Sequence, residues 1–423
     1  MKLKVLVRAP VLSQSGYGEH GRFVLRALRT QEDVFDIFVN PVGWGRTSWM
    51  WEETDERAWI DHLVQKTAQH TNSGGTFDVS LQVCIPNEWQ KLAPVNIGCT
   101  AGIETTLISP EWVKATYGVD KIIMVSQFAK DTFTKTLYEA MNPETNEKRS
   151  IGVKGPVEVV NYPHKDIEPS DVELDLKYDF NFLAISQWSP RKNLENTIRW
   201  FIEEFYDQEI GLVVKTSTAN NSHIDFLHTK HNLLALLGQE RYKNRTCSVS
   251  LVHGYLKDDE MLGLYHHEKI KALINISHGE GFGLPMFEAA GSGLPIVTIG
   301  WGGQVDFLYV PEKVKGKRKK QLMPKFAEVE YNIAPVQEHA VWPGVIVKES
   351  SWAYADPASY KMKLREVYKN HAMFKKRATV LQKHIQENFT EEQMYKQFTD
   401  IVKEGLEIPD DTEVDQMYAE LFG

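Results

Sequence analysis

Apolar positions along this chain follow two rhythms. Short continuous runs of strand length alternate with stretches in which apolar residues recur every three to four positions, the spacing of an amphipathic helix. In the first 165 residues the strand-like runs are KVLVRAPV, VFDIFVNPV, FDVSLQV, VNIGCTAGI, KIIMVS and VEVVNYPH, with helical spacing in YGEHGRFVLRALRT and QFAKDTFTKTLYEAM. Such alternation predicts a parallel sheet covered by helices. The polar, proline-bearing stretch KDIEPSDVELDLKYD breaks the rhythm and reads as a linker over 166–178. A second series follows: FNFLAIS, NLENTIRWFIEEF, IGLVVKTS, SVSLVHGYL, DDEMLGLYHH, KALINIS, PMFEAAGSG and LPIVTIG. The pattern therefore predicts an α/β chain of two doubly wound, Rossmann-like halves facing across a cleft. The first spans 1–165, the second 179–385, and helices over 386–423 are expected to cross back to the first half. Ligands of open α/β sheets sit beyond the carboxyl ends of the strands, so the cleft is the expected site.

Composition narrows the class. With 423 residues, 42% apolar and 25% charged, the chain has the make-up of a folded protein of more than one domain. A net charge of -9 argues against a generally cationic, nucleic-acid-coating surface. Cys84, Cys99 and Cys247 lack C-x-x-C spacing, which points to core residues rather than a disulfide framework or a zinc site. No apolar run reaches the roughly 18 to 20 residues of a membrane span. The apolar part of MKLKVLVRAP is too short for a secretory leader, so a cytoplasmic location is expected. The histidines include the pairs His266–His267 and His228–His231 but show neither H-x-x-x-H nor H-E-x-x-H, and no metal site is expected.

Two glycine-rich stretches carry the candidate chemistry. The second, HGEGFGLPMFEAAGSGLPIV, follows the buried run KALINIS, and Pro285 stands where a first helical turn would start. The amides of Gly281, Phe282, Gly283 and Leu284 would then converge at a helix N-terminus, where unpaired donors and the macrodipole favour an anion such as a diphosphate. Glu280 and Glu288 bracket that loop. Ionised carboxylates accept hydrogen bonds, so beside an anion site they suit sugar and ribose hydroxyls; the plainer alternative is that they cap the helix and complement its dipole. The first stretch, GYGEHG over 16–21, satisfies G-x-G-x-x-G and raises an NAD-dependent oxidoreductase or epimerase as an alternative. Its first glycine lies several residues past the strand, however, and VFDIFVN ends in Asn40 without the acidic ribose partner. Gly16, Tyr17 and Gly18 are better suited to closing over a diphosphate from the other side of the cleft.

The glutamate pair with GFGLP and EA-x-G-x-G-x-P between and after resembles the signature of the family-four retaining glycosyltransferases of GT-B fold. LAISQWSPRKNLENTIRWFIEEF, LVVKTS, DDEMLGLY and WGGQVDFL are similar to that family's nucleotide-sugar domain, and SGYGEHGRFVLRAL, GIETTLISPEWV and KIIMVSQFAKDTF to its first half. The resemblance covers nearly the whole chain, except 310–349. It implies a metal-independent transferase that uses a nucleotide-diphosphate sugar as co-substrate and no other cofactor. Glu280 would bind donor-sugar hydroxyls, Glu288 the ribose, and the amides of Gly281 to Leu284 the sugar and diphosphate. Lys192, with Arg191 beside it, would neutralise the leaving diphosphate. The sequence departs from the family where an arginine is expected upstream of that lysine, at Ser186-Gln187-Trp188, and where relatives carry a histidine, at Glu104. Glu104 could orient an acceptor hydroxyl or act as a base.

Acceptor identity is not legible. A glycan is the main expectation and a modified nucleic-acid base a minority one, kept open by WGRTSWMW over 44–51 and by the basic run KVKGKRKK over 313–320. A catalytically inactive nucleotide-sugar-binding protein is the remaining alternative.

Overall fold

The strand-like runs of the first half become β1 (Leu3–Ala9), β2 (Phe35–Pro41), β3 (Val79–Val83), β4 (Val95–Thr100) and β5 (Lys121–Met124), joined by α1 (Gly16–Arg29), α2 (Asp55–Asn72), α3 (Pro110–Ala115) and α4 (Gln127–Lys135). A hairpin of β6 (Leu137–Met141) and β7 (Lys148–Gly152) precedes β8 (Val157–Val159). These elements come from a computed structural model that describes residues 2–141, 148–313, 316–317 and 319–406. All five residues of β3 are buried, as a strand covered on both faces requires. The parallel sheet has the order β2-β1-β3-β4-β5-β8.

The second half repeats the plan with β9 (Asn181–Ile185), α5 (Leu194–Glu204), β10 (Gly211–Lys215), α6 (His223–Leu237), β11 (Ser248–Val252), α7 (Asp258–His266), β12 (Ile270–Asn275), α8 (Leu284–Gly291), β13 (Ile296–Ile299) and α9 (Val305–Leu308). Then come the hairpin β14 (Tyr309–Glu312) with β15 (Gln321–Pro324), the edge strand β16 (Ala327–Val329), the pair β17 (Tyr331–Pro335) and β18 (Ser351–Ala355), and the helices α10 (Pro357–Lys369), α11 (His371–Asn388) and α12 (Glu391–Lys403). The sheet order is β11-β10-β9-β12-β13-β16, again all parallel. Chain progression reverses between β9 and β12, and that switch point opens a crevice beyond their carboxyl ends.

The halves are joined by more than the linker. Helix α12 returns to pack on α1, with the rings of Phe23 and Phe398 5.4 Å apart. Segment 336–350 of the second half reaches the first, where Val345 is buried with Ile108 and Trp112 and the Ser109 hydroxyl donates to the Gly344 carbonyl at 2.8 Å. The apolar rhythm gave no sign of this crossing, because the short apolar run VWPGVIV is broken by Pro343 and Gly344 and shows neither strand nor helix spacing. The three cysteines are buried and unpaired, as core residues. The basic run over 313–320 joins β14 to β15, and three of its residues, Val314, Lys315 and Arg318, lie outside the described residues.

Candidate active site

The chain leaves β9, makes a turn over Pro190–Lys192 and enters α5 through Asn193, which holds φ at 53°. Asparagine tolerates this left-handed conformation better than most residues, and the Asn193 amide donates to the Ile276 carbonyl at 3.1 Å, tying the turn to the end of β12. Lys192 thereby faces Glu280, with Nζ 2.7 and 2.6 Å from the two carboxylate oxygens. Ser277 Oγ and Asn275 Nδ2 donate to Oε1 of the same carboxylate at 2.8 and 3.2 Å. Glu280 is only 5% exposed. Burial alone would raise its pKa, but Lys192 and Arg191 overcome that penalty and hold the carboxyl at about 2. Burial and the adjacent guanidinium depress Lys192, so an arriving anion would find an ammonium that gains from its company. Arg191 Nη1 donates to the Gly279 carbonyl at 2.7 Å and reaches Glu104 at 3.1 Å and Glu280 at 3.6 Å. The pair is therefore no exposed helix start: both cations are committed to the crevice.

Glycine chemistry shapes the adjoining loop. Gly283 is the N-cap of α8 with φ at 91°, Pro285 follows in the first turn, and no side chain caps the helix. Glu280, engaged with Lys192, does not serve as a cap. The amides of Gly281, Phe282, Gly283 and Leu284 find no backbone acceptor among the described residues, which leaves four donors at a helix N-terminus. A Cβ on Gly281 would lie 2.7 Å from the Ala101 carbonyl oxygen of the first half.

One turn further along α8, Glu288 stands half-buried at the wall of a pocket between the halves, lined also by Glu19, Lys165, Met261, Leu262 and Tyr265. Burial pushes its carboxyl up to about 7, although Tyr265 donates to it at 2.8 Å. Lys165, just before the linker, bridges Glu19 on α1 and Asp258 on α7 at 2.8 Å each.

No family model and no curated protein matches the sequence. Solved structures do match across nearly the full length of both chains. A sucrose-phosphate synthase from Thermosynechococcus elongatus superposes with a TM-score of 0.60 at 11% identity, over 95% of this chain and 98% of that one. A UDP-forming trehalose-phosphate synthase from Burkholderia xenovorans gives 0.58 at 12%, over 96% and 99%. A glycosyltransferase from Rickettsia africae gives 0.56 at 12%, over 95% and 98%. The fold is GT-B.

Within the GT-B frame the residues foreseen from sequence divide by half. Lys192, Arg191, Glu280 and the Gly281–Leu284 loop meet in the crevice, and Glu104 joins them from the first half through Arg191. Gly16 opens α1 with nothing within 4 Å of a would-be Cβ, so that point is free for close approach. Gly18 has another role: a Cβ there would lie 1.9 Å from the Ser13 carbonyl oxygen, and its N–H donates to the Ser15 cap at 3.1 Å. Tyr17 donates its hydroxyl to, or accepts from, Thr100 at 2.8 Å and packs on Trp44 with ring centres 4.2 Å apart. His278 is structural, stacked on Trp352 and bonded through Nδ1 to the Ala353 carbonyl at 2.7 Å. Among the described residues no cluster of His, Cys, Asp or Glu could hold a metal ion, and no described helix is long and apolar enough to cross a membrane.

Sequence reasoning passed over the groups that hold the GT-B crevice together. Ser277 and Asn275 orient Glu280; their one signal is their place in NIS at the end of a buried strand. Ser126 and Asp306 join the halves beside the loop, Ser126 Oγ donating to the Gly281 carbonyl at 2.6 Å and Asp306 accepting from the Gln127 amide at 2.8 Å.

Proposed function

We propose that this protein is a retaining glycosyltransferase of the family-four type, which moves a sugar from a nucleotide-diphosphate sugar to a hydroxyl of a glycan acceptor. The observation that carries the reading is the meeting, at the switch point of the second sheet, of Lys192 and Glu280 with the unpaired amides that open α8. In transfer, the bond from the anomeric carbon to the diphosphate oxygen breaks, a bond to the acceptor oxygen forms, and the acceptor proton passes to the departing diphosphate oxygen. Charge grows on the leaving diphosphate, where Lys192 and the amide cluster stabilise it without reorganising. In the resting site Glu280 holds Lys192; with donor bound, the ammonium turns to the diphosphate and the carboxylate to sugar hydroxyls. Glu288 takes the ribose, and Glu104, aligned by Arg191, faces the acceptor.

The donor class fits the neighbours: one similar structure contains UDP and glucose, and another enzyme is described as UDP-forming. Trp49 and Trp51, 53% and 71% exposed, offer faces for an acceptor sugar and keep a modified nucleic-acid base as the second reading. The test is release of nucleoside diphosphate from a panel of nucleotide sugars, UDP-sugars first, with candidate glycans and with DNA. Turnover by the wild type and its loss by about a hundredfold or more in Lys192→Gln or Glu280→Gln is expected. Full activity in either variant would remove the assignment.

A further inference from the structure

The Gly281 loop is held from both sides of the cleft. The Glu280 carbonyl accepts from the Gly303 N–H at 2.7 Å, within the second half. The next carbonyl, that of Gly281, accepts from Ser126 Oγ at 2.6 Å, and Ser126 belongs to the first half, where it is fully buried at the start of α4. In a planar trans peptide the N–H points opposite to the C=O. The N–H groups of Gly281 and Phe282 are therefore aimed away from Gly303 and Ser126. Neither finds a backbone acceptor among the described residues.

We infer that Ser126 is a positioning residue that couples closure of the two halves to assembly of the diphosphate site; this rests on the donor reading above. Its hydroxyl fixes the orientation of the Gly281–Phe282 peptide, and because the bond joins the halves, it exists only while they are closed on each other. With the halves apart, the peptide loses this restraint and one of the convergent donors loses its aim. Neighbouring contacts keep Ser126 in place. The Gln127 amide donates to Asp306 Oδ2 at 2.8 Å, and Asn161 Nδ2 donates to the same oxygen at 2.9 Å. The arrangement makes donor grip depend on the first half having docked, which protects a nucleotide sugar from being activated toward water in an open site.

Ser126 also caps α4, accepting from the Ala129 amide at 3.2 Å, so the test must separate capping from donation. Aspartate caps a helix as well as serine but carries no hydrogen to donate, whereas threonine does both. Binding of UDP and of UMP is measured by calorimetry for the wild type, Ser126→Ala, Ser126→Asp and Ser126→Thr. Loss of one well-placed donor predicts UDP affinity weaker by about tenfold in the Ala and Asp variants, with Ser126→Thr close to wild type. UMP, which lacks the distal phosphate, is expected to change less. If the wild type binds UDP and Ser126→Ala binds it within about twofold as well, the positioning role is wrong while the donor reading stands. If the wild type binds no nucleoside diphosphate, the donor reading itself falls. Should Ser126→Ala not fold, equal UDP binding by the Asp and Thr variants overturns the proposal.

Discussion

Glu288 shows how one half-buried group can pull stability and binding in opposite directions. Its carboxyl sits at about 7 in the folded protein, above the ordinary carboxylate value, because burial outweighs the Tyr265 hydrogen bond. A folded pKa above the unfolded one means that the group's favourable contribution is complete below the usual glutamate pKa and is lost as pH rises through about 7. Glu288→Gln is therefore expected to match the wild type in thermal melts near pH 4 and to exceed it at pH 8 by up to about 3 kcal/mol. Donor binding runs the other way: ribose hydroxyls need the ionised acceptor, so wild-type UDP affinity should strengthen between pH 6 and 8 while that of Glu288→Gln stays flat. A flat wild-type profile would detach Glu288 from the nucleoside. Neither the role nor the shift could be read from EAAGSG alone. Sequence marks a glutamate on a helix, whereas the shift comes from burial in a pocket between the halves and is opposed by Tyr265 on another helix.

At the level of elements, the two sheets were legible apart from the edge strand β16, because their other strands are apolar runs such as KALINIS or alternate as in FDVSLQV. The hairpins β6–β7 and β14–β15 were not: LYEAM continues the helical spacing of α4 in the sequence but forms β6, and Leu137, Ile151 and Leu322 are exposed and mark no core face. The donor loop lies between these extremes. Its glycines announced close approach, but to what was hidden until the neighbours were known: the Ala101 carbonyl for Gly281, and the Gly281 carbonyl for Gly303, whose Cβ would stand 1.9 Å from that oxygen. A methyl group at Gly303 collides with backbone inside its own half, while one at Gly281 collides with backbone of the opposite half. Gly303→Ala should accordingly distort the loop and lower the melting temperature. Gly281→Ala should leave each half intact and hold the cleft ajar, seen as a larger radius of gyration by small-angle scattering and a weaker grip on UDP. A Gly281→Ala protein as compact as the wild type would contradict this division.

On the scale of the whole molecule, the halves are bound into one body by the linker, the α12–α1 contact and the 336–350 crossing. Lys165 adds a charged bridge from α1 to α7. The cores do not follow the stretches of chain that build the sheets. The first half does not own all of its interior, because Val345 fills space beside Ile108 and Trp112, and Phe398 lies against Phe23. Residues 1–165 made alone should thus expose apolar surface and bind a hydrophobic dye or aggregate. A cooperative melt of that fragment would show that the borrowed residues are dispensable. During synthesis the consequence is one of timing: the ribosome delivers the amino-terminal sheet long before the side chains that seal it. That half must stay unfinished, and shielded, until almost the entire polypeptide has emerged.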